Sequence, residues 1–424
     1  MSCKLNILLL TRYFPPEIGT AANLFFELAR GLVVAGYKVT IATGFPWYNL
    51  KEIPKKYRGN LYVRENIEGI EIIRLTFPTL GHNHLNLAAG HVIAPITSFL
   101  GGLLTNKPDL VYAYSPPLFM GLAGWLLKML KGIPFVLGIQ DLHPQCYIDQ
   151  GLLQNRFLIS LLETLEKFIY NRASLITVHS NGNKQHIVST RRIAKNKVKV
   201  LPNWIDTDEI RPLSRENRFS KKYELNKKFV VGYAGTLGMS QGLMNVIDTA
   251  NMLRDKDDIE FFIVGDGVEK GKMMGKTREL GLKTVRFLGM QPKSVYPYVL
   301  ASSDVQLVTL NSKVQTPVVP SKILSIMAAA RPVLASIPLG GDAPKLIEDS
   351  GCGFCVEPKD PRKLSGKIVY LYKNRDICEK LGKQGRKYVV ENLSLSKIVY
   401  DIKRMFDDIL RTNHGKEGKS RPSG

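Results

Sequence analysis

Three short stretches combine glycine, proline or a base where the chain leaves an apolar run and enters an amphipathic one. The first, "TRYFPPEIGTAAN", follows "NILLL" and ends on Gly19, Thr20 and the start of a helical pattern. The second, "YAGTLGMSQGLMN", carries Gly235 and Gly238 behind another apolar run. In the third, "VPSKILSIMAAA", Pro320 fixes the approach, Ser321 can cap, and Lys322 projects an ammonium from the first turn. Glycine lets a bulky anion approach the backbone, and a helix start offers unpaired N–H groups with a partial positive charge. As a set the three suit a diphosphate, although each alone also reads as ordinary strand–helix punctuation. Neither of the first two turns is the G-x-G-x-x-G of a dinucleotide fold, which weakens a dehydrogenase reading.

The elements that must position these turns are legible. "KLNILLL", "YKVTIAT", "IEIIRL", "DLVYAYS", "PFVLGI", "LITVHS" and "VKVLPN" read as strands. Between the first two, Ala21, Leu24, Phe25, Leu28, Leu32 and Ala35 share a helical face, with Thr20 as N-cap and Gly36 as stop. Such alternation means a parallel sheet covered by helices. A second series ("FVVGYAG", "IEFFIVGDG", "VRFLG", "DVQLVTL", "PVLAS") follows a polar connection. At 424 residues the chain exceeds one hydrophobic core. The expected plan is α/β: two Rossmann-like doubly wound domains facing each other across a cleft, at residues 1–205 and 229–394. Residues 206–228 link them, 395–412 form a terminal helix packing back toward the first domain, and 413–424 form a flexible tail. Ligands of such folds bind at the carboxyl ends of the strands.

Bulk properties narrow the partners. The net charge is +22, and the stretch Lys167–Lys199 holds eight Lys or Arg and no acid. Such a field attracts nucleic acid, anionic lipid or polyanionic ligands, or is simply a solvated surface. No nucleic-acid signature accompanies it, so no nucleic-acid partner is expected. Five cysteines without a paired framework, and no visible signal peptide, favour the reducing cytoplasm. The C-x-x-C at Cys352 and Cys355 lacks a second pair for zinc. Residues 85–105 carry no Asp, Glu, Lys or Arg, but Gly90, Pro95, Gly101 and Gly102 argue for a buried or interfacial helix over a membrane span.

Taken in order, "LLLTRYFPPEIGTAANLFFELARGLVVAGYKVTIATGFPWYN", "PDLVYAYSPPLFMGLAGWLLK", "PFVLGIQDLHP", "LPNWID", "YAGTLGMSQGL", "IVGDGVEK", "FLGMQPKSVYPYVLASSDVQLVTL" and "VPSKILSIMAAARPVLAS" resemble the family 4 glycosyltransferases of GT-B fold. The likeness is nearest to the WbuB-like branch, which builds O-antigen, capsule and exopolysaccharide. It implies a retaining, metal-free transferase that takes a nucleoside-diphosphate sugar, more often UDP-linked, as donor. The implied acceptor is a saccharide on a polyprenyl diphosphate, met by a peripheral protein at the anionic inner membrane face. By the same resemblance, Gly19 and Thr20 face the donor's distal phosphate and sugar. Gly235, Thr236, Leu237 and Gly238 lie under the diphosphate, Gly265 and Gly267 close the next strand end, Leu288 to Met290 meet the base, and Lys322 neutralises phosphate. Asp141 matches the D-L-x-P element near the reacting sugar, and His143 stands two residues on as a candidate proton carrier or structural histidine.

The pattern also departs from the family. Its E-x(7)-E positions hold Pro317 and Ser325, so Ser325 offers the ribose one hydroxyl. Met239 and Gln241 stand where many relatives have Arg and Lys, and "AAAR" replaces A-A-G-R. "DTD" at 206–208 reads either as a metal motif of another fold or as the family's structural N-x-x-D, and no metal is expected. Competing functions are a nucleotide-sugar epimerase of the same architecture and a silent nucleotide-sugar-binding partner.

Overall fold

Runs rich in Val, Ile and Leu become strands buried on both faces, as parallel sheets covered by helices require. The structure, a computed structural model, describes residues 5–17, 19–47, 50, 52–76, 84–149, 151–312 and 319–417. The chain divides into two units, one comprising Met1–Asn203 with Leu395–Gly424, the other Trp204–Ser394.

In the first unit β1 (Asn6–Leu10), β2 (Lys38–Gly44), β3 (Tyr62–Ile67), β4 (Ile70–Leu75), β5 (Leu110–Ser115), β6 (Phe135–Ile139), β7 (Leu175–Val178) and β8 (Val198–Val200) form one sheet of order 3-4-2-1-5-6-7-8. All neighbours are parallel except β3 and β4. That hairpin corrects the expectation of a parallel sheet. Glu68 and Gly69 take left-handed φ values of 52° and 82°, which fold a two-residue turn and return β3 along the edge.

The terminal helix Leu395–Glu417 belongs to this unit and packs on helix Thr20–Val34. Ile398, Ile402, Phe406 and Leu410 are its buried row. The Cβ that Gly31 lacks would fall 2.4 Å from Val399 Cγ2, so the close approach of the two helices depends on that glycine.

In the second unit β9 (Phe229–Ala234), β10 (Ile259–Val264), β11 (Val285–Leu288), β12 (Val305–Thr309), β13 (Val333–Ser336) and β14 (Gly353–Val356) give the order 11-10-9-12-13-14 with every neighbour parallel. Strand β14, unassigned from sequence, begins one residue after buried Cys352 and includes Cys355. Strand order reverses between β1 and β5 in one sheet and between β9 and β12 in the other. Loops leaving a sheet at such a point diverge and open a crevice.

Candidate functional site

The second unit brings two of the three stretches together. Gly235 leaves β9 and Lys322 starts helix Ser321–Ala328 after β12, on the two sides of the reversal. The Lys322 side chain lies across Gly235: a Cβ there would meet Cε at 2.5 Å and Nζ at 2.9 Å, and Gly235 has φ +139°. The backbone therefore demands glycine, and any larger residue would also push the lysine's end aside. Nζ sits 3.9 Å from the centroid of the Tyr233 ring and donates to its hydroxyl. That hydroxyl donates in turn to the Thr236 carbonyl at 2.8 Å. Lys322 has no acidic partner among the described residues, and burial lowers its ammonium to about 7.

The adjacent strand end closes against the same loop. A Cβ on Gly265 would lie 1.9 Å from the Gly235 carbonyl oxygen, and one on Gly267 2.4 Å from that of Leu237. The amides of Gly235 and Leu237 donate to Val264 and Asp266 at 2.9 and 2.8 Å. Gln241 accepts from the Gly238 amide at 3.1 Å, so it braces the loop where relatives place a base. Thr236, Met239 and Ser321 are exposed, and Leu237 is buried.

Several local expectations change. Thr20 and Ser321 are first helical residues, not caps: Gly19 and Pro320 hold the cap positions, and neither end has a side-chain cap. Gly19 has extended backbone, φ 169°, and Thr20 is exposed. Gly238 precedes the short turn Met239–Gln241, while the longer helix starts at Met244. The Leu288 carbonyl is taken by the Gly265 amide at 2.9 Å, and Met290 is exposed. Ser325 is buried and hydrogen-bonds the Tyr296 hydroxyl. Pro317 lies outside the described residues. Asp206 Oδ1 accepts from the amides of Asp208 and Glu209, each at 3.0 Å, a turn-forming use of the "DTD" stretch.

In the first unit, Asp141 and His143 follow β6. Asp141 reaches the surface, yet surrounding protein withdraws enough water to raise its carboxyl, against the opposing charge of His179. His143 is buried, and desolvation, then His91, lower it to about 4. Its Nδ1 lies 3.3 Å from Cys146 Sγ. A neutral, enclosed imidazole carries protons poorly at neutral pH.

Sequence reasoning missed Tyr233, which reads as one more apolar strand residue. It also missed Arg12, His91 and Tyr147. The only sequence signal for Arg12 is a base two residues beyond a buried strand.

The fold is of the GT-B glycosyltransferase class, with two α/β units whose parallel strands are covered by helices. The chain belongs to the family 4 glycosyltransferases of GT-B fold: residues 19–204 match the model described as "Glycosyl transferase 4-like domain", and 214–388 that described as "Glycosyl transferases group 1". It is an enzyme of that kind. The chain is similar to the putative colanic acid biosynthesis glycosyl transferase WcaI of Escherichia coli K12, 26% identical over 364 residues, 83% of this chain and 88% of that one. It is 27% identical over 277 residues to the probable glycosyltransferase WbjE of Pseudomonas aeruginosa, covering 65% and 67% of the two chains. Among solved structures, Anabaena Alr3699/HepE in complex with UDP superposes with TM-score 0.72 at 18% identity, over 96% of this chain and all of the other.

Proposed function

We propose that this protein is a retaining glycosyltransferase that moves a sugar from a UDP-linked donor to a polyprenyl-diphosphate-linked saccharide in cell-surface polysaccharide assembly. One observation carries it: an ammonium without an acidic partner among the described residues, held over a glycine turn at the strand-order reversal, where a diphosphate would complete it. The colanic acid biosynthesis assigned to WcaI and the UDP bound to HepE agree with this reading.

In the reaction the bond between the anomeric carbon and the β-phosphate oxygen breaks. The acceptor oxygen bonds that carbon from the same face, and its proton passes to the departing phosphate. Lys322, the Thr236 amide and the amides at the start of helix Ser321–Ala328 stabilise the charge that gathers on the diphosphate. Asp141 orients the acceptor hydroxyl or the sugar. No metal is required.

A thermal-shift screen with UDP-, GDP- and dTDP-sugars tests the donor. The UDP series should raise Tm most, and a larger shift with GDP-sugars would overturn the nucleotide assignment. With the donor found, Asp141→Asn should lower kcat by about 10²-fold and leave UDP binding unchanged. Equal loss of UDP affinity would remove Asp141 from the acceptor side.

The first unit also suits a peripheral position at the cytoplasmic face. Val92, Ile96, Leu100 and Leu103 are exposed at helical spacing along helix His84–Leu103. Met129 and Leu130, each 64% exposed, lie on the helix Met120–Lys131 packed against it. No helix among the described residues is long and apolar enough to cross a membrane. Apolar side chains beside a basic surface bind anionic interfaces. The protein should co-sediment with vesicles containing anionic lipid, and Leu100→Glu should reduce that binding several-fold. Binding indifferent to lipid charge and to this substitution counts against the docking surface.

A further inference from the structure

Two residues beyond β1, Arg12 turns back into the first unit. It is 5% exposed, and Nε, Nη1 and Nη2 are buried without a hydrogen-bond partner among the described residues. The rings of Tyr13 and Trp47 lie 5.1 and 5.5 Å from the guanidinium carbon. Aromatic faces attract a cation but leave its in-plane N–H donors unmet. Glu17, the next acid along the chain, accepts from the amides of Phe14 and Trp47 at 3.2 and 3.1 Å. Outside the described side chains the sequence holds one acid, Glu417. A guanidinium does not escape burial by losing its proton, so leaving it without an anion is costly.

The neighbours make room and add hydrogen-bonding groups without negative charge. A Cβ on Gly90 would come 2.5 Å from Arg12 Nη2, so helix His84–Leu103 yields space at that turn. His91 beside it is lowered to about 4 by burial and by Arg12, which leaves its imidazole neutral. The His91 Nε2 and the Tyr147 hydroxyl are 3.3 Å apart. The cluster sits where the order of the first sheet reverses, at the carboxyl end of β1.

We propose that Arg12, with His91 and Tyr147, forms a subsite for a phosphoryl oxyanion carried by the acceptor. This rests on the transferase reading above. Lys322, in the other unit, is assigned to the donor's diphosphate, and the cationic pocket of the first unit is assigned here to the other substrate. Planar, forked donors suit a phosphate, which can occupy two N–H groups at once.

The test uses the full-length chain saturated with UDP, so that the donor site is filled, and titrates inorganic pyrophosphate calorimetrically. Wild type should bind it. Arg12→Met should lose at least tenfold in affinity, Arg12→Lys should keep part of it, and both should bind UDP as wild type does. Polyprenyl diphosphate in detergent micelles should show the same ranking. Removing an unpaired buried charge should not lower Tm, and pyrophosphate should raise the Tm of wild type but not of Arg12→Met. If Arg12→Met does not fold, Gly90→Ala keeps the arginine and should weaken pyrophosphate alone. Wild-type protein that ignores pyrophosphate, or a Met variant that binds it equally, overturns the proposal and means that ordered water satisfies Arg12. A loss confined to UDP would assign the arginine to the donor, which also overturns it. The readout needs no sugar transfer, so its failure is distinguishable from failure of the transferase reading.

Discussion

Lys322→Met should lower kcat for transfer by about 10²- to 10³-fold, the usual consequence of removing one preorganised group from a developing negative charge. UDP affinity should fall about tenfold to a hundredfold, the worth of a charge-assisted contact to phosphate. Apo stability should not fall. The folded protein holds the Lys322 proton at about 7 against 10.5 for the free side chain. Between those pH values the unfolded chain binds more protons, so this group's contribution to stability rises with pH across the window and is least favourable below 7. Methionine removes that dependence. A bound diphosphate reverses the balance, because it favours the ammonium. UDP binding should therefore take up a proton above pH 7, and affinity should drop by up to tenfold per pH unit until the pKa of the complex is reached. Calorimetry in buffers of different ionisation enthalpy reads the uptake. Binding unchanged from pH 7 to 9, with normal UDP affinity in the Met variant, would separate Lys322 from the phosphates.

Gly265→Ala should be nearly as damaging, for a backbone reason. Its new Cβ would lie 1.9 Å from the Gly235 carbonyl oxygen, and neither group is the movable end of a side chain. Relief needs a shift of about 1 Å in the loop to which we assign the diphosphate, and misplacement on that scale costs about 10²-fold in rate. Overpacking of this kind also destabilises by about 1–3 kcal/mol. Melting temperature and UDP affinity should fall together. Gly271→Ala is the control: in helix Lys270–Glu279 nothing lies within 4 Å of the added carbon, and stability should hold or rise by about 0.5–1 kcal/mol. Loss of UDP binding in that control, or its retention in Gly265→Ala, would mean that the glycine contact does not shape the site.

The strands were readable because burial on both faces leaves runs of Val, Ile and Leu that polar loops interrupt, and Gly235 and Gly267 were readable because their positive φ disfavours other residues. Strand β3 was not. Its residues alternate half-buried with exposed, and a hairpin through Glu68 and Gly69 is encoded in two positions, easily lost beside a helix-period background. The caps were misplaced for a related reason: Thr20 and Ser321 are plausible cap types, but cap position depends on backbone φ and ψ that composition does not specify.

By itself, the sequence determined the α/β class, the family and the order of the described strands other than β3 and β14, and it singled out Gly235, Gly265 and Lys322 as candidates. Tertiary structure alone decided that Lys322 rests on Gly235 and Tyr233, that Ser325 is spent on Tyr296, and that Arg12 is enclosed without an anion. Those facts depend on which loops a strand-order reversal brings together. Residues 235 and 322, or 12 and 91, are far apart along the chain, and only the packing of parallel strands fixes the distance between them.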